Sequence, residues 1–183
     1  LWPSYLHNQA GSLITSSFFV AAVGAFYLLS NKHSRFGKIF VQRGVVFGVV
    51  ASILVAFPTG DWAAKNVVKH QPATFAAMEG IFETEKGGSE IVLIGQPDME
   101  NKKLDNKIAV PNILSFLTYQ RWDAEIKGLN EFDESIHPTN VPGLYYGYHI
   151  MVGLGTIFIG IMVLAAFFLW KGRLYKTKWL LWI

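Results

Sequence analysis

The chain has 183 residues, of which 51% are hydrophobic, 15% aromatic and only 16% charged, with a mean hydropathy of +0.30. This balance is too apolar for an ordinary soluble domain and predicts a membrane protein. The sequence contains no cysteine, which excludes disulfides, iron–sulfur clusters, thiolate zinc sites and covalent c-type heme attachment by this chain. Its basic residues flank apolar runs instead of clustering with aromatic residues, which argues against a nucleic-acid-binding surface.

Three long charge-poor runs predict three transmembrane helices. Residues 8–31 and 150–170 contain no acidic or basic side chain, and each run is long enough at about 1.5 Å per residue to cross a ~30 Å hydrocarbon core. A third uncharged run, 44–60, extends towards its N-terminus if Lys38 and Arg43 direct their charged ends to the interface. The predicted spans are 6–30, 39–57 and 146–170, with the start of a further span at 179–183.

The distribution of charge sets the predicted topology. The links at 31–38 and 171–178 carry basic residues and no acid, whereas 58–145 carries all 13 acidic residues and only 8 basic ones. Short basic loops lie on the cytoplasmic side of a membrane. We therefore expect both links in the cytoplasm and 58–145 outside. This topology also brings the beginnings of the first and third spans to the same outer face.

The outer stretch is too long for an unstructured connection, and local signals divide it. Pro72 favours the first turn of a helix, and alternating or β-branched runs favour strands. The predicted elements are a short helix at 71–80, a strand at 90–94 ended by 95–97, a second helix at 112–128, and turns at 87–88 and 140–143. The predicted fold class is an all-α integral membrane protein, with three transmembrane helices, the start of a fourth and a large, partly folded extracytoplasmic loop, as part of a larger helical bundle.

Three side chains that could bind a metal cofactor fall at the shared outer face. His7 begins the first span, and His149 and Met151 begin the third. An imidazole and a thioether on opposite sides of a porphyrin give a six-coordinate, low-spin heme iron that transfers electrons. From spacing alone, the alternative is a hydrogen-bonded histidine at the interface and a methionine that packs between helices.

Glu79 follows an Ala-Ala-Met stripe at the end of the predicted helix at 71–80. A carboxylate near the membrane surface can accept a proton from a quinol hydroxyl, which is general-base chemistry. The alternative interpretation is a solvated acid on the surface of a helix. Glu83 and Glu85 have only this second interpretation.

Several stretches, in order along essentially the whole chain, resemble the heme-bearing large subunit, subunit I, of cytochrome bd-type quinol oxidases. These stretches are Leu6-His7-Asn-Gln-Ala-Gly11, Phe26-Tyr-Leu-Leu-Ser30, Phe75-Ala-Ala-Met-Glu-Gly80, Gly95-Gln-Pro-Asp98, Asn106-Lys-Ile-Ala-Val-Pro111, His149-Ile-Met-Val-Gly153 and Lys178-Trp-Leu-Leu181. The resemblance implies that 58–145 is the quinol-binding loop of this family in its short form. It also implies that His7 and Met151 are the iron ligands of a low-spin heme b and that Glu79 acts in quinol oxidation.

Two positions depart from the pattern of the family. Thr74 stands where a lysine is usual, and His149 stands where an arginine is usual. Lys69 or Lys65 can supply the missing cation near a quinol. The further predicted quinol contacts are therefore Lys69 and the residue at the departing position itself, Thr74. His149 is predicted beside the heme as a group whose charge depends on pH.

The resemblance implies that the chain is part of a quinol:oxygen oxidoreductase in the bacterial or archaeal cytoplasmic (inner) membrane. This part is expected to oxidise quinol at the outer face and to pass electrons through the low-spin heme b. The high-spin hemes, b and/or d, are expected on other helices, because the Gly-Arg-Gln-Pro-Trp motif of the family is absent here. Other membrane subunits are therefore expected partners. The alternatives are a heme b subunit that relays electrons between quinone and a non-oxidase redox complex, which Thr74 and His149 favour, and a purely structural membrane subunit.

Overall fold

The computed structural model describes residues 2–183, and the described chain is mostly helical. Three of the described helical stretches are long and apolar enough to cross a membrane: Trp2–Leu29, Ser34–His70 and Val141–Trp170. The prediction of a mostly helical protein with three candidate transmembrane helices is therefore confirmed. The chain forms two compact units, which we call the helical unit (2–62 with 155–183) and the loop unit (63–154).

The described residues form seven helices and two strands, joined by turns and irregular segments. In chain order they are α1 (Trp2–Leu29), α2 (Ser34–Ala56), α3 (Thr59–His70), α4 (Pro72–Glu79), β1 (Ile91–Asp98), β2 (Lys103–Val110), α5 (Ile113–Tyr119), α6 (Val141–Trp170) and α7 (Lys178–Leu181). Short 3-10 turns lie at Leu129–Glu131, Glu134–Ile136 and Leu174–Lys176. The helices α1, α2 and α6 begin several residues before the predicted spans, because helical backbone continues past the hydrocarbon core. The predicted link at 171–178 and helix start at 179–183 correspond to the last 3-10 turn and the short α7.

In the helical unit, α1 and α2 run antiparallel with their backbones in close contact. A Cβ on Gly44 would lie 2.7 Å from both the Ser17 carbonyl oxygen and the Ala21 amide nitrogen, and a Cβ on Gly24 would lie 2.6 Å from the Val41 amide nitrogen. Small residues allow such close packing, which drives helix association where the surrounding lipid is as apolar as the helices. The buried core of this unit consists of Ala25, Val41, Val45, Ala165, Leu174, Leu180 and Leu181.

We expect Gly44→Ala to lower the thermal stability of the purified membrane complex. The added methyl group would overlap backbone atoms of α1, and overpacking of this kind costs about 1–3 kcal/mol. Gly11→Ala is the matched control, because its added Cβ would meet no atom within 4 Å apart from the adjacent backbone of α1 in the described chain. Thermal denaturation of the two variants measures the difference, and equal Tm values would contradict the close packing of α1 on α2.

The loop unit has an apolar core of its own. One cluster contains Ala73, Ala76, Ala77, Phe82, Leu129 and Val141, and a second contains Phe75, Ile81, Leu114 and Ile126. The helix α4 contributes to both clusters, because it carries apolar residues around most of its circumference. It is therefore buried on more than one side.

The strands β1 and β2 form a two-stranded antiparallel hairpin in the loop unit. The prediction that 95–97 ends the strand is wrong, since β1 continues through these residues to Asp98. Gly95 serves a close approach instead of a chain break. A Cβ at this position would lie 2.8 Å from Leu104 and 2.9 Å from the Tyr145 hydroxyl oxygen.

The second strand of the hairpin has no counterpart in the predicted elements. The turn before β2 contains neither glycine nor proline, the residues that usually mark a hairpin. It is closed by Asp98, whose Oδ1 accepts hydrogen bonds at 3.0 Å from the amides of Glu100 and Asn101. Such a turn made by an Asp side chain is a weaker sequence signal than Asn-Gly or Asp-Gly.

The predicted helix at 112–128 is wrong over its second half, because α5 ends just before Gln120. Gln120 has a left-handed backbone conformation, with φ of 59°. Trp122 then stacks on Phe116 of α5, with ring centroids 4.3 Å apart. Apolar residues alternate from Trp122 to the buried Ile126, which is the period of extended chain and not of a helix.

The predicted turn at 140–143 is also wrong, since these residues begin α6. The Asn140 Oδ1 accepts a hydrogen bond from the Gly143 amide at 2.9 Å, which caps the helix. Pro142 fits the first turn, where its missing N–H leaves no helical hydrogen bond unmade.

Candidate functional site

Glu79 is the last residue of α4, and only 2% of its surface is exposed. The next residue, Gly80, ends the helix in a left-handed conformation with φ of 73°, and its amide donates to the Ala76 carbonyl. Because α4 is packed within the apolar clusters of the loop unit, its end carries Glu79 into the interior. Glu79 is therefore not a solvated acid on a helix surface.

Tyr148 of α6 is the hydrogen-bond partner of Glu79. Its hydroxyl donates to Glu79 Oε1 at 2.7 Å. Burial raises the pKa of Glu79 from 4.5 to about 7, although the hydrogen bond from Tyr148 acts in the opposite direction. A carboxyl group with a pKa near 7 has substantial amounts of both forms at neutral pH, so it can accept and release a proton.

Tyr145 packs beside the same end of α4, and 1% of its surface is exposed. A Cβ on Gly80 would lie 2.8 Å from the Tyr145 ring, so the close approach and the positive φ both require glycine at position 80. The Tyr145 hydroxyl is buried and has no hydrogen-bond partner among the described residues. Glu79, Tyr145 and Tyr148 thus form a buried polar group between α4 and the first turns of α6.

His149 contacts two backbone carbonyl oxygens with its ring. Nδ1 lies 3.0 Å from the Tyr145 carbonyl oxygen, and Nε2 lies 3.1 Å from the Val92 carbonyl oxygen. Since a carbonyl oxygen only accepts, both contacts are hydrogen bonds only when the ring carries two protons. The contact with Val92 joins α6 to β1, whereas the contact with Tyr145 lies within α6, and together they occupy both ring nitrogens. The role of His149 beside a heme, as a charge and not as a ligand, stays a prediction.

The two predicted iron ligands have donor atoms that suit a heme. His7 of α1 is half-buried beside Gly60, and its Nδ1 has no hydrogen-bond partner among the described residues. A histidine needs such an uncommitted ring nitrogen to bind iron. Met151 of α6 is 51% exposed, so packing within this chain does not enclose its thioether. His7 belongs to the helical unit and Met151 to the loop unit, and their pairing at one heme stays a prediction.

The remaining predicted quinol contacts lie at the end of α3 and within α4. Thr74 is half-buried in α4, five residues before Glu79 and therefore about 140° around the helix from it. Lys69 is exposed in the last turn of α3. Their contact with quinol stays a prediction.

Tyr145 and Tyr148 are polar residues beside Glu79 that the sequence pattern does not predict. The available signal is a group of three tyrosines at 145, 146 and 148. Tyrosines at the end of a membrane helix usually anchor it at the membrane interface, and this role explains the three tyrosines without any contact with Glu79. The contact with Glu79 joins residues far apart in the sequence, so local pattern does not predict it.

The family described as cytochrome bd terminal oxidase subunit I matches residues 1–183. The chain is similar to cytochrome bd ubiquinol oxidase subunit 1 of Bacillus subtilis, with 32% identity across 99% of this chain and 40% of that protein. It is also similar to cytochrome bd-II ubiquinol oxidase subunit 1 of Escherichia coli, with 26% identity across 73% of this chain and 26% of that protein.

The fold is similar to that of the solved bd oxidase from Geobacillus thermodenitrificans. The TM-score is 0.80 and the sequence identity 26%, over 98% of this chain and 39% of that chain. The chain thus spans 40% or less of the length of each of these relatives. The resemblance inferred from the sequence motifs is confirmed. Because the match extends over its whole length, the chain belongs to the cytochrome bd terminal oxidase subunit I family.

Proposed function

We propose that this chain is the quinol-oxidising part of a cytochrome bd-type quinol:oxygen oxidoreductase and passes electrons to a low-spin heme b. Membership of a cytochrome family implies heme cofactors and an oxidoreductase component. The observation that carries the proposal is the buried Glu79, whose pKa is about 7. A general base is most effective when its pKa lies near the operating pH, and Glu79 meets that condition.

Glu79 is the proposed acceptor of a quinol proton. Oxidation of a quinol to a quinone releases two protons and two electrons. The Glu79 carboxylate takes a proton when it lies within roughly 2.6–3.2 Å of a quinol hydroxyl oxygen. Burial favours the resulting neutral acid, which releases this proton to the outer aqueous phase and can then accept the second proton in the same way. Lys69 and Thr74 are assigned to the quinol oxygens, the first through its charge and the second through its hydroxyl group.

His7 and Met151 are the residues of this chain that would hold the low-spin heme b, since an imidazole nitrogen and a thioether sulfur both bind heme iron. When bound, the heme supplies a one-electron acceptor for the electrons of quinol. His149 ties α6 to β1 through its contact with the Val92 carbonyl oxygen, and Met151 follows on the same helix. A positive charge at position 149, where the family usually has an arginine, would favour the reduced state of a nearby redox centre, because reduction adds an electron.

The rest of the oxidase is assigned to other helices and subunits, because the chain spans 40% of its Bacillus subtilis relative. The high-spin hemes, b and/or d, and the reduction of oxygen belong to those parts. The three apolar helices support a multi-pass membrane protein. The basic links favour an inner membrane with 31–38 and 171–178 in the cytoplasm and 58–145 outside.

We expect quinol-dependent oxygen uptake by the purified complex to increase with pH around a midpoint near 7. The ionised form of Glu79 predominates above its pKa of about 7, and only this form accepts a proton. The measurement is kcat/KM for a soluble short-tailed quinol between about pH 5.5 and 9 at constant ionic strength. Failure of the complex to consume oxygen with quinol would overturn the proposed oxidase function. A rate independent of pH across this range would remove Glu79 as the base.

A second candidate function is electron relay between quinone and a different redox complex. Thr74 and His149 favour it, because they replace the lysine and the arginine that are usual in the family. The relay requires a partner with multiheme or iron–sulfur domains and no oxygen-reducing heme. Reactivity of the complex with carbon monoxide therefore separates the two functions.

A further inference from the structure

A hydroxyl group from α6 reaches the carboxyl group at the end of α4. Glu79 and Tyr148 belong to the same compact unit, and the hydroxyl-to-carboxyl distance is 2.7 Å, the usual length of an O–H···O hydrogen bond. Glu79 is almost fully buried, so water has little access to replace this donor. The contact is therefore a defined hydrogen bond within the core of the loop unit.

We propose that Tyr148 is a positioning residue for quinol oxidation, whose hydroxyl orients the Glu79 carboxyl group and preserves its ionised, proton-accepting form. This inference rests on the proposed role of Glu79 as the base. In this role Tyr148 acts through its hydrogen bond with Glu79 and makes no contact with quinol itself. The role needs a donor that stays in place while the carboxyl group gains and loses a proton.

The physical reason lies in the competition between burial and hydrogen bonding. A carboxylate removed from water is destabilised relative to the neutral acid, and a hydroxyl that donates to it restores part of the lost solvation. Both effects act on Glu79: burial raises its pKa, and the Tyr148 hydrogen bond lowers it to about 7. Without the hydroxyl, Glu79 would be protonated over more of the neutral range and would be unavailable as a base.

The other groups around Glu79 do not provide this donor. The titratable side chains that interact with Glu79 are Tyr148 and Tyr145, both on α6. The Tyr145 hydroxyl is buried but makes no hydrogen bond with any described residue. Tyr148 is therefore the side chain whose removal changes the hydrogen bonding of Glu79.

The test compares Tyr148→Phe with Tyr146→Phe in the full complex. Tyr146 is the matched control, because it lies on the same helix, is 44% exposed and makes no described hydrogen bond with Glu79. The pH profile of kcat/KM for a short-tailed quinol is expected to move upward by about one unit in Tyr148→Phe. Below the midpoint, activity falls about tenfold, and above about pH 9 it approaches the wild-type value. Tyr146→Phe keeps the wild-type midpoint.

Infrared difference spectroscopy provides a second readout that does not depend on turnover. The carbonyl stretch of protonated Glu79, identified by its loss in Glu79→Gln, should titrate at higher pH in Tyr148→Phe. A uniform loss of activity at all pH values, with an unchanged midpoint and an unchanged infrared titration, would overturn the role of Tyr148. Full quinol oxidation by Glu79→Gln would instead overturn the role of Glu79, so the two failures are distinguishable.

Discussion

Replacing Glu79 by glutamine is expected to lower quinol turnover by about 10²–10⁴-fold, the usual contribution of a general base. The amide matches the carboxyl group in size and can still accept a hydrogen bond from Tyr148, so the packing at the end of α4 is retained. It cannot accept a quinol proton at any working pH. Heme content and the absorbance after chemical reduction should therefore equal those of the wild type, while reduction by quinol becomes slow.

Glu83→Gln is the control for this substitution. Glu83 lies a few residues further along the same loop but is exposed. Like Glu79→Gln, this replacement removes one carboxyl group, but it does not touch the buried polar group. Quinol turnover should stay within about twofold of wild type, because distant exposed charges are screened. Normal turnover in Glu79→Gln, or an equal loss in Glu83→Gln, would contradict the assignment of Glu79 as the base.

Replacing Met151 by leucine is expected to convert the low-spin heme into a high-spin or lower-potential form. Leucine has no donor atom, and a methionine ligand opposite histidine raises the potential of heme iron. Electron transfer from quinol should then fall by about tenfold or more, within the range seen when a metal site loses a supporting group. The measurement is a redox titration followed by visible absorbance.

The effect of this substitution on packing is expected to be small. Leucine and methionine have similar volumes, and Met151 is 51% exposed in the chain itself. Met99→Leu, at an exposed methionine in the turn of the hairpin, is the matched control and should leave the heme spectrum unchanged. An unaltered potential and spectrum in Met151→Leu would remove Met151 as a ligand.

The membrane-spanning helices could be predicted from sequence because their signal is one-dimensional. Charge-free runs of sufficient length identify α1 and α6, and no knowledge of their neighbours is needed. The ends of these helices were less predictable, because polar flanks such as the Asn140 cap continue a helix beyond its apolar run. The residues that cap a helix and the residues that form its apolar run are separate signals, so the helix and the run do not begin at the same residue.

The loop unit was less predictable because tertiary contacts decide its structure. The left-handed Gln120 ends α5 and Trp122 then stacks on Phe116, while the Asp98 turn closes a hairpin that lacks the usual glycine. The same limitation applies to the site. A general base at Glu79 was one of two interpretations of the sequence, and its burial and its hydrogen bond with Tyr148 arise from α4 and α6, which are distant along the chain.

The proposed place of this chain in a quinol:oxygen oxidoreductase is tested most directly by the reduced-minus-oxidised absorbance spectrum of the purified complex, recorded with and without carbon monoxide. The expected result is a low-spin heme b signal that carbon monoxide leaves unchanged, together with a high-spin heme signal that carbon monoxide shifts. A low-spin signal without any carbon monoxide-reactive heme would contradict the oxidase assignment and favour electron relay. A spectrum without heme would contradict both functions and leave a structural membrane subunit.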